Sequence, residues 1–286
     1  MNTRVCVVGS VNMDSVYAVP SLPTPGETIL ATSAQLLPGG KGGNQAVAAA
    51  RAGAQVQLVA AVGSDAHARQ LRDHLAANDV GLDGLVTLPG SSGTAVIVVG
   101  ADAENMIVVA PGANAHLTLD STRLRQIVAE CDVLLLQLEI PLETAVAAAR
   151  QARSAGAVVM VNASPAGADS NRLADLAEVA DVVIVNEEEG RAWQWPVPHL
   201  VTTRGERGAT HLYDGEETEV PAPGVEALDT TGAGDVFAGV LAAGWSADHR
   251  HALRRACAAG ALATLVTGAG DCAPLDEAIE DALAPD

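Results

Sequence analysis

The chain has 286 residues, long enough for one large α/β domain with a buried core, and its formal net charge is −19. This excess of acidic residues argues against nucleic acid or an anionic membrane surface as a partner. No apolar run approaches the length that crosses a bilayer, and residues 5–8 read as a strand and not as a signal peptide, so we expect a cytoplasmic protein. The four cysteines lack metal-type spacing and are expected to stay reduced.

The chain begins with a predicted buried strand over residues 5–10. Asn12 and Asp14 follow it and would lie at the carboxyl end of the strand, where ligands bind in open α/β sheets. Residues 15–38 contain a P-T-P-G-E-T turn and short alternating runs, which predict an exposed hairpin and not part of the sheet core. We interpret this hairpin as part of a lid.

A glycine cluster at 39–45, G-G-K-G-G-N-Q, precedes a predicted alanine-rich helix over residues 46–52. It contains Lys41, the only lysine in a chain whose other basic side chains are arginine. This location favours a compact cation that donates to a ligand. The cluster is not a Walker A loop, because the earlier glycine of that motif is absent and no serine or threonine follows the lysine. Close packing of a helix start is the alternative explanation for the glycines.

From residue 55 onward, apolar strands alternate with alanine-rich helices, which indicates a parallel sheet covered on both faces. One interruption is a hairpin without a helix, at 94–99 and 105–109 with a turn at 101–104. It is expected to pair with the 15–38 hairpin as a small second layer. The other predicted strands lie at 55–62, 132–138, 157–161, 181–185, 210–213 and 218–220, and the helices at 65–78, 142–155, 173–179, 233–244, 251–265 and 275–283.

A second glycine-containing motif, D-T-T-G-A-G-D-V-F-A-G, occupies residues 229–239. The loop Gly232-Ala233-Gly234 is predicted to open a helix, and its bare amides at the positive end of the helix dipole would bind an anion. If that anion is a phosphoryl group in transfer, Asp235 stands where a general base could take a proton from the attacking hydroxyl. The alternative is that Asp235 only caps the helix.

Together, these segments resemble the ribokinase-like (PfkB) family of carbohydrate kinases over nearly the whole chain. The shared motifs are G-S-V-N-M-D at 9–14, P-T-P-G-E-T at 23–28, G-G-K-G-G-N-Q-A at 39–46, E-N-M-I-V-V-A-P-G-A-N at 104–114, Q-L-E at 137–139, N-E-E-E at 186–189 and the 229–239 motif. The resemblance implies an α/β fold with a central, mostly parallel sheet, helices on both faces and a small β-sheet lid. It also implies a single domain over 1–286, with the lid formed by about 15–38 and 93–110.

The resemblance implies ATP-dependent phosphorylation of D-ribose at its 5-hydroxyl, giving D-ribose 5-phosphate and ADP. Within the family, the G-G-K-G-x-N-Q-A form of the glycine cluster is typical of members that act on ribose. The same chemistry on 2-deoxyribose, fructose or a nucleoside remains an alternative, and so does a sugar sensor without turnover. A nicotinamide-dependent oxidoreductase is a remote alternative, since no G-x-G-x-x-G follows the first strand.

The resemblance also assigns roles to individual residues. Asp235 would be the catalytic base, and the loop of Gly232, Ala233 and Gly234 the anion hole. The sugar would be held, together with Asp235, by Asn12, Asp14, Gly40, Lys41, Asn44 and Glu139. Mg²⁺ and the nucleotide would be held by Asn186, Glu189, Thr203, Gly205, Arg207, Gly208, Gly234 and Cys257.

An activating monovalent cation, potassium, is the last ligand that the resemblance implies. Its matching positions are Asp229, Thr231, Ala263, Val266, Gly268 and Cys272. The last of these is commonly serine in the family, and a thiol is a poorer ligand for a hard cation than a hydroxyl.

Two further expectations concern surfaces. The segment between Asn186 and Thr203 is shorter than is usual in the family, so Trp193 and Trp195 are expected to cover the sheet face there. The exposed apolar hairpin of the lid is expected to pair with a second copy in a homodimer.

Overall fold

The first strand shows how the large sheet is built. In Arg4–Val8 (β1), Val5 and Val7 enter one hydrophobic cluster, while Cys6 and Val8 enter a second cluster on the opposite face. Successive side chains of a strand point to opposite faces, so a continuous apolar run is stable only where both faces are covered. This computed structural model describes residues 2–101, 104–167 and 170–283.

Within those residues, nine strands form one sheet in the order β13-β12-β11-β10-β9-β8-β1-β4-β5. Pairing is parallel from β5 to β11 and antiparallel for β11–β12 and β12–β13, which confirms the predicted mostly parallel sheet. The strands after β1 are Gln55–Val62 (β4), Gly81–Thr87 (β5), Val133–Leu136 (β8), Val158–Asn162 (β9), Val182–Asn186 (β10), His199–Thr203 (β11), Ala209–Tyr213 (β12) and Glu216–Val220 (β13).

Helices cover both faces of this sheet. One face carries α1, α2, α7, α8 and α9, and the other carries α3, α4 and α5, because buried side chains of these helices enter the first and second cluster, respectively. The helices are Lys41–Arg51 (α1), Ala66–Ala77 (α2), Thr122–Ala129 (α3), Leu142–Ser154 (α4), Ser170–Ala177 (α5), Glu187–Ala192 (α6), Ala233–Gly244 (α7), His249–Ala263 (α8) and Asp276–Asp281 (α9). In the described part of the chain, none of them is both long and apolar enough to span a bilayer.

A separate sheet of four strands forms the predicted second layer. Its order is β3-β2-β6-β7, with β2 parallel to β6 and the other pairs antiparallel. Its strands are Asn12–Ala18 (β2), Ser33–Gly39 (β3), Gly93–Val99 (β6) and Asn105–Ala110 (β7). The turn predicted at 101–104 includes residues 102–103, which lie outside the described residues.

Two predicted boundaries near the glycine cluster are wrong. The first strand ends at Val8, so Asn12 and Asp14 lie inside β2 of the small sheet and not at the end of a strand of the large one. Helix α1 begins at Lys41 and not at residue 46, with Gly42 inside it. A Cβ at Gly42 would lie 2.7 Å from the carbonyl carbon of Gly9, so glycine lets the helix approach the loop after β1.

The predicted alternation of strands and helices also omitted two elements, the edge strand β5 and helix α3. The sequence of β5, G-L-D-G-L-V-T, contains two glycines and an aspartate, which are depleted in strands. Both elements are held mainly by tertiary contacts: β5 pairs along β4, and α3 contributes Leu124 and Val128 to the second cluster.

The short segment between β10 and β11 is crossed by the single-turn helix α6. Trp193 then packs against the second hydrophobic cluster, and its Nε1 donates to the carbonyl oxygen of Trp195 at 2.8 Å. The two indole rings meet edge to face, 5.2 Å apart. Trp193 thus packs where a longer connection would otherwise cover the sheet, and Trp195 packs against Trp193.

Candidate active site

Asp235 lies in the first turn of α7 and is buried, with 7% of its surface exposed. Gly232 precedes the helix with φ 82°, a left-handed conformation that glycine adopts without strain. Both carboxylate oxygens of Asp235 accept hydrogen bonds from α1: Oδ2 from Asn44 Nδ2 at 3.0 Å and Oδ1 from Gln45 Nε2 at 2.9 Å. The side chain is therefore directed toward α1 and the glycine cluster and not toward its own helix start.

Asp14 is a second buried carboxylate, and it reaches the same region from β2 of the small sheet. Burial, followed by the negative charges of Glu139 and Asp235, raises its pKa to about 7. Among the described residues its Oδ1 is buried without a hydrogen-bond partner. A buried acceptor of this kind requires a donor, and a ligand hydroxyl would supply one.

Lys41 and Glu139 complete a charged cluster around the start of α1. Glu139 Oε2 accepts from the backbone amide of Lys41 at 3.2 Å and from the hydroxyl of Ser10. The charge of Asp235 raises the pKa of Lys41 against the opposing effect of burial, with further help from Glu139 and Glu189. The single lysine therefore stays charged among three carboxylates.

Asn12 is held in this cluster by Asn114, a residue to which the sequence interpretation gave no role. Asn114 Nδ2 donates to Asn12 Oδ1 at 2.8 Å, and Asn114 Oδ1 accepts from the backbone of Val11 at 3.1 Å. The only indication in the sequence that Asn114 belongs to the site was its place at the end of the 104–114 motif. The predicted sugar residues from β2, α1 and the loop after β8 thus come together around Asp235.

Two cavities meet beside Asp235. The smaller, of about 140 Å³, is lined by Lys41, Asn162, Ser164, Ile184, Val185, Asn186, Glu189, Thr203, Gly232, Gly234 and Asp235. The larger, of about 800 Å³, is lined by Thr203, Gly205, Glu206, Arg207, Gly208, Ala222, Pro223, Gly224, Val225, Ala227, Thr230, Ala233, Gly234, Phe237, Cys257, Gly260, Ala261 and Thr264. Thr203 and Gly234 belong to both, so a ligand in the groove could extend toward Asp235. All the residues predicted for the nucleotide lie on one cavity or the other.

Asn186 and Glu189, predicted to order magnesium, form a capping box at the start of α6. Asn186 Oδ1 accepts from the amides of Glu188 and Glu189 at 2.9 and 2.8 Å, and Glu189 Oε2 accepts from the Asn186 amide at 2.9 Å. These bonds fix both side chains at the edge of the smaller cavity and leave Glu189 Oε1 for a ligand.

A sequence model described as pfkB family carbohydrate kinase matches residues 2–276. The chain belongs to the pfkB family of carbohydrate kinases. It is therefore a sugar kinase, and the nicotinamide alternative has no support.

Individual pfkB relatives are similar over nearly their full length. A ribokinase of Bacillus subtilis is 36% identical over 292 residues, covering 98% of this chain and 99% of that protein. A deoxyribokinase of Salmonella typhi is 32% identical over 289 residues, covering 93% of each. A solved ribokinase from Arabidopsis thaliana, complexed with ribose and ATP, superposes with a TM-score of 0.90 at 28% identity and covers 100% of both chains.

Four of the positions predicted for a monovalent cation lie close together: Asp229, Thr231, Gly268 and Cys272. Asp229 Oδ1 accepts from the Thr231 amide at 2.8 Å, and its Oδ2 accepts from the Gly268 amide at 2.9 Å. Burial acts to raise the pKa of Asp229, but these hydrogen bonds outweigh it and lower the pKa. Val266 is 44% exposed. Asp229 thus ties the loop before α7 to the segment after α8.

Cys272 stands at the position where the family commonly has serine. Its Sγ lies 3.9 Å from the carbonyl oxygen of Thr231, and burial, followed by the charges of Asp235 and Asp229, raises the pKa of its thiol to about 11. The thiol is therefore neutral near pH 7. A neutral, soft donor fits a hard monovalent cation poorly.

Besides Asn114, three further buried amides that contact this site carried no predicted role: Gln45, Gln137 and Asn162. Gln45 and Gln137 do lie inside motifs that the family shares, at 39–46 and 137–139. Their contacts join positions far apart in the chain, so the sequence alone gave no indication of what each side chain meets.

Proposed function

We propose that this carbohydrate kinase transfers the γ-phosphoryl group of ATP to the 5-hydroxyl of D-ribose, giving D-ribose 5-phosphate and ADP, and that it does so in the cytoplasm. The observation that carries the proposal is Asp235. Its carboxylate is buried between the polar cluster on β2 and α1 and the cavity that joins the large groove at Gly234. The similarity to the Bacillus subtilis ribokinase supports ribose as the acceptor.

The polar cluster is suited to a sugar. Asn12, Asp14, Asn44 and Glu139 offer carboxylate and amide groups to vicinal hydroxyls, and Lys41 with the Gly40 turn closes the cluster on the α1 side. Asp14 has a buried oxygen that still needs a donor. Such a site rejects analogues that lack a hydroxyl, because its polar groups would then stay unpaired.

In the proposed reaction, Asp235 accepts the proton of the 5-hydroxyl as that oxygen attacks the γ-phosphorus and the bond to ADP breaks. The amides of Gly232 and Gly234 at the start of α7 stabilise the negative charge on the transferred group, and the Ala233 amide, which donates to the Thr230 carbonyl oxygen at 3.3 Å, would exchange that bond for the ligand. The small sheet closing over the sugar would exclude water, which otherwise competes as acceptor.

The large groove is the proposed nucleotide site. The turn from Thr203 to Gly208 forms one wall, and Cys257 of α8 lies on another. Glu189 fits Mg²⁺ through Oε1, since a carboxylate oxygen is a donor that this ion prefers, often through water, and the capping box with Asn186 holds Glu189 in place. When bound, Mg²⁺ would neutralise charge on the nucleotide phosphates.

A substrate panel tests the acceptor. Release of ADP by the purified protein should show the highest kcat/KM with D-ribose, compared side by side with 2-deoxyribose, fructose and adenosine. The 32% identity to a deoxyribokinase makes 2-deoxyribose the sharpest competitor. A higher kcat/KM with 2-deoxyribose would overturn the ribose assignment. Calorimetric ribose binding without any ADP release would instead identify a sensor.

We also propose a homodimer in which a second copy covers the small sheet. Strand β7 exposes a continuous apolar run, with Ile107 51% and Val108 64% exposed. Light scattering should give a dimer for the wild type and a monomer for Val108→Asp, because a buried unpaired charge is costly. A monomeric wild type would contradict this proposal.

A further inference from the structure

Gln45 contacts the proposed base but lies outside the set that holds the sugar. Its side chain is on α1, one residue after Asn44, and it is completely buried. Its Nε2 donates to Asp235 Oδ1 at 2.9 Å and to Asn162 Oδ1 at 3.1 Å. Both amide hydrogens are thereby used, so Gln45 has no donor left for a ligand.

Asp235 and Gln137 together fix which way the Gln45 amide faces. Gln137 Nε2 donates to Gln45 Oε1 at 2.7 Å, and Gln137 is also completely buried. If the Gln45 amide were flipped, its oxygen would face two acceptor oxygens and its NH₂ group would face a donor. The chain Gln137→Gln45→Asp235 therefore has one direction of donation.

Gln137 also leaves one of its own polar atoms unpaired: within the described residues, its Oε1 is buried and has no hydrogen-bond partner. An unpaired buried acceptor is unfavourable, and an apolar side chain at position 137 would only move that penalty to Gln45 Oε1, which would lose its donor. An apolar residue at this position would lose the NH₂ group of Gln137, and that group donates to Gln45.

We propose that Gln45, oriented by Gln137, is a positioning residue that fixes the carboxylate plane of Asp235 for proton transfer. Asn44 holds Oδ2 and Gln45 holds Oδ1, so the carboxylate cannot rotate about its terminal bond without breaking a hydrogen bond. Each oxygen keeps a lone pair for the acceptor hydroxyl. This inference rests on the proposed role of Asp235 as the base, and it adds two residues that set its geometry.

The test uses two variants and a matched control. Gln45→Met and Gln137→Met each replace the side-chain amide by a group of similar volume. Gln45 contacts Asp235 directly, whereas Gln137 contacts it only through Gln45. Gln57→Met makes the same change at a glutamine of β4 whose Oε1 is also buried and unpaired. The measured quantities are kcat, both KM values and the melting temperature, with activity expressed per folded protein below that temperature.

Both site variants should lose roughly 10- to 100-fold in kcat with little change in either KM, because a small displacement of a reacting group has an effect of that size. Gln57→Met should keep the wild-type kcat whatever its melting temperature. An unchanged kcat in the site variants, or a loss that only follows the melting temperature and appears equally in Gln57→Met, would overturn the proposal.

A double variant separates this inference from the proposed function. If Gln45 acts through Asp235, Gln45→Met should change the residual turnover of Asp235→Asn by less than twofold. A further tenfold loss in that background would show that Gln45 acts elsewhere. The proposed function is contradicted by a different measurement, namely if the wild type releases no ADP with ribose. In that case the Gln45 variants are compared with whichever sugar the substrate panel identifies.

Discussion

Asn44 donates a hydrogen bond from Nδ2 to Oδ2 of Asp235 at 3.0 Å, although the two residues are 191 positions apart in the chain. The bond joins the two glycine-containing motifs, one at the start of α1 and the other at the start of α7. Asn44 thereby contacts the proposed base while belonging to the proposed sugar site. We infer that correct sugar binding and correct placement of the base depend on the same side chain.

Asp235→Asn tests the base directly. The amide keeps the shape and one acceptor oxygen for α1, but its NH₂ group faces a donor there and cannot accept a proton, so kcat should fall by roughly 10²- to 10⁴-fold. Ribose binding measured by calorimetry should persist. Asp120→Asn, the same change at an exposed position, is the control. Full turnover by Asp235→Asn would exclude the assignment.

Asp14→Asn should stabilise the protein while weakening sugar binding. The folded-state pKa of Asp14 is raised from 3.8 to about 7, so the folded protein keeps a proton that the unfolded chain has released. Stability due to this group therefore falls as the pH rises from about 4 to about 7, by an amount on the order of 4 kcal/mol.

The difference in melting temperature between Asp14→Asn and the wild type should consequently be larger at pH 8 than at pH 4. The KM for the sugar should rise at least tenfold, since one acceptor oxygen becomes a donor. A variant that is less stable than the wild type at pH 8 would show that Asp14 is held by contacts that outweigh its burial.

A cluster of three histidines predicts loss of stability in acid. His199 Nδ1 lies 2.9 Å from His211 Nε2, and His249 packs edge-on against His199. Burial, followed by the charges of His211 and His249, lowers the pKa of His199 to about 4, against a smaller opposing effect of Asp181. Burial lowers the pKa of His211 and His249 as well.

Because the unfolded chain takes up protons near pH 6.5 while the folded cluster does not, stability should fall as the pH decreases from 6.5 toward 4. His199→Phe keeps the stacking on Tyr213, seen at 4.3 Å, and removes the titrating nitrogens. The drop in melting temperature between pH 7.5 and pH 5 should therefore be a few degrees smaller in His199→Phe. His116→Gln, at an exposed position, should leave that drop unchanged.

Cys272→Ser should strengthen activation by potassium. The hydroxyl is a harder donor than the neutral thiol, so we expect at most about twofold stimulation of the wild type and a larger one in the variant. Turnover with potassium, compared with a matched concentration of a tetraalkylammonium salt, measures this ratio. Cys131→Ser is the control, since Cys131 is buried in the second hydrophobic cluster, where its Sγ donates to the Val128 carbonyl oxygen. Equal stimulation of Cys272→Ser and the wild type would contradict the expectation.

The fold and the location of the site could be predicted because both depend on local patterns. Apolar runs such as 5–8 identify strands covered on both faces, and the motif at 229–239 identifies a helix start with an aspartate. What could not be predicted is set by packing. Gly42 is helical only because the loop after β1 lies against it, and β5 is a strand only because β4 is beside it.

The same limit applies within the site. The motifs contain Gln45 and Gln137, but only the folded chain shows that one orients the other. The capping box of Asn186 and Glu189 could have been expected, since an asparagine followed three residues later by a glutamate is the sequence form of that motif.

Lys41 gives this kinase a built-in chemical reporter. It is the only side-chain amine in the sequence, and its ammonium is surrounded by the charges of Asp235, Glu139 and Glu189. An amine-reactive reagent has one side-chain target in this sequence, and that side chain lies where the acceptor is proposed to bind; its raised pKa means that the reaction needs alkaline pH. Protection of Lys41 from such a reagent, followed by intact mass, would measure occupancy of the pocket without any turnover.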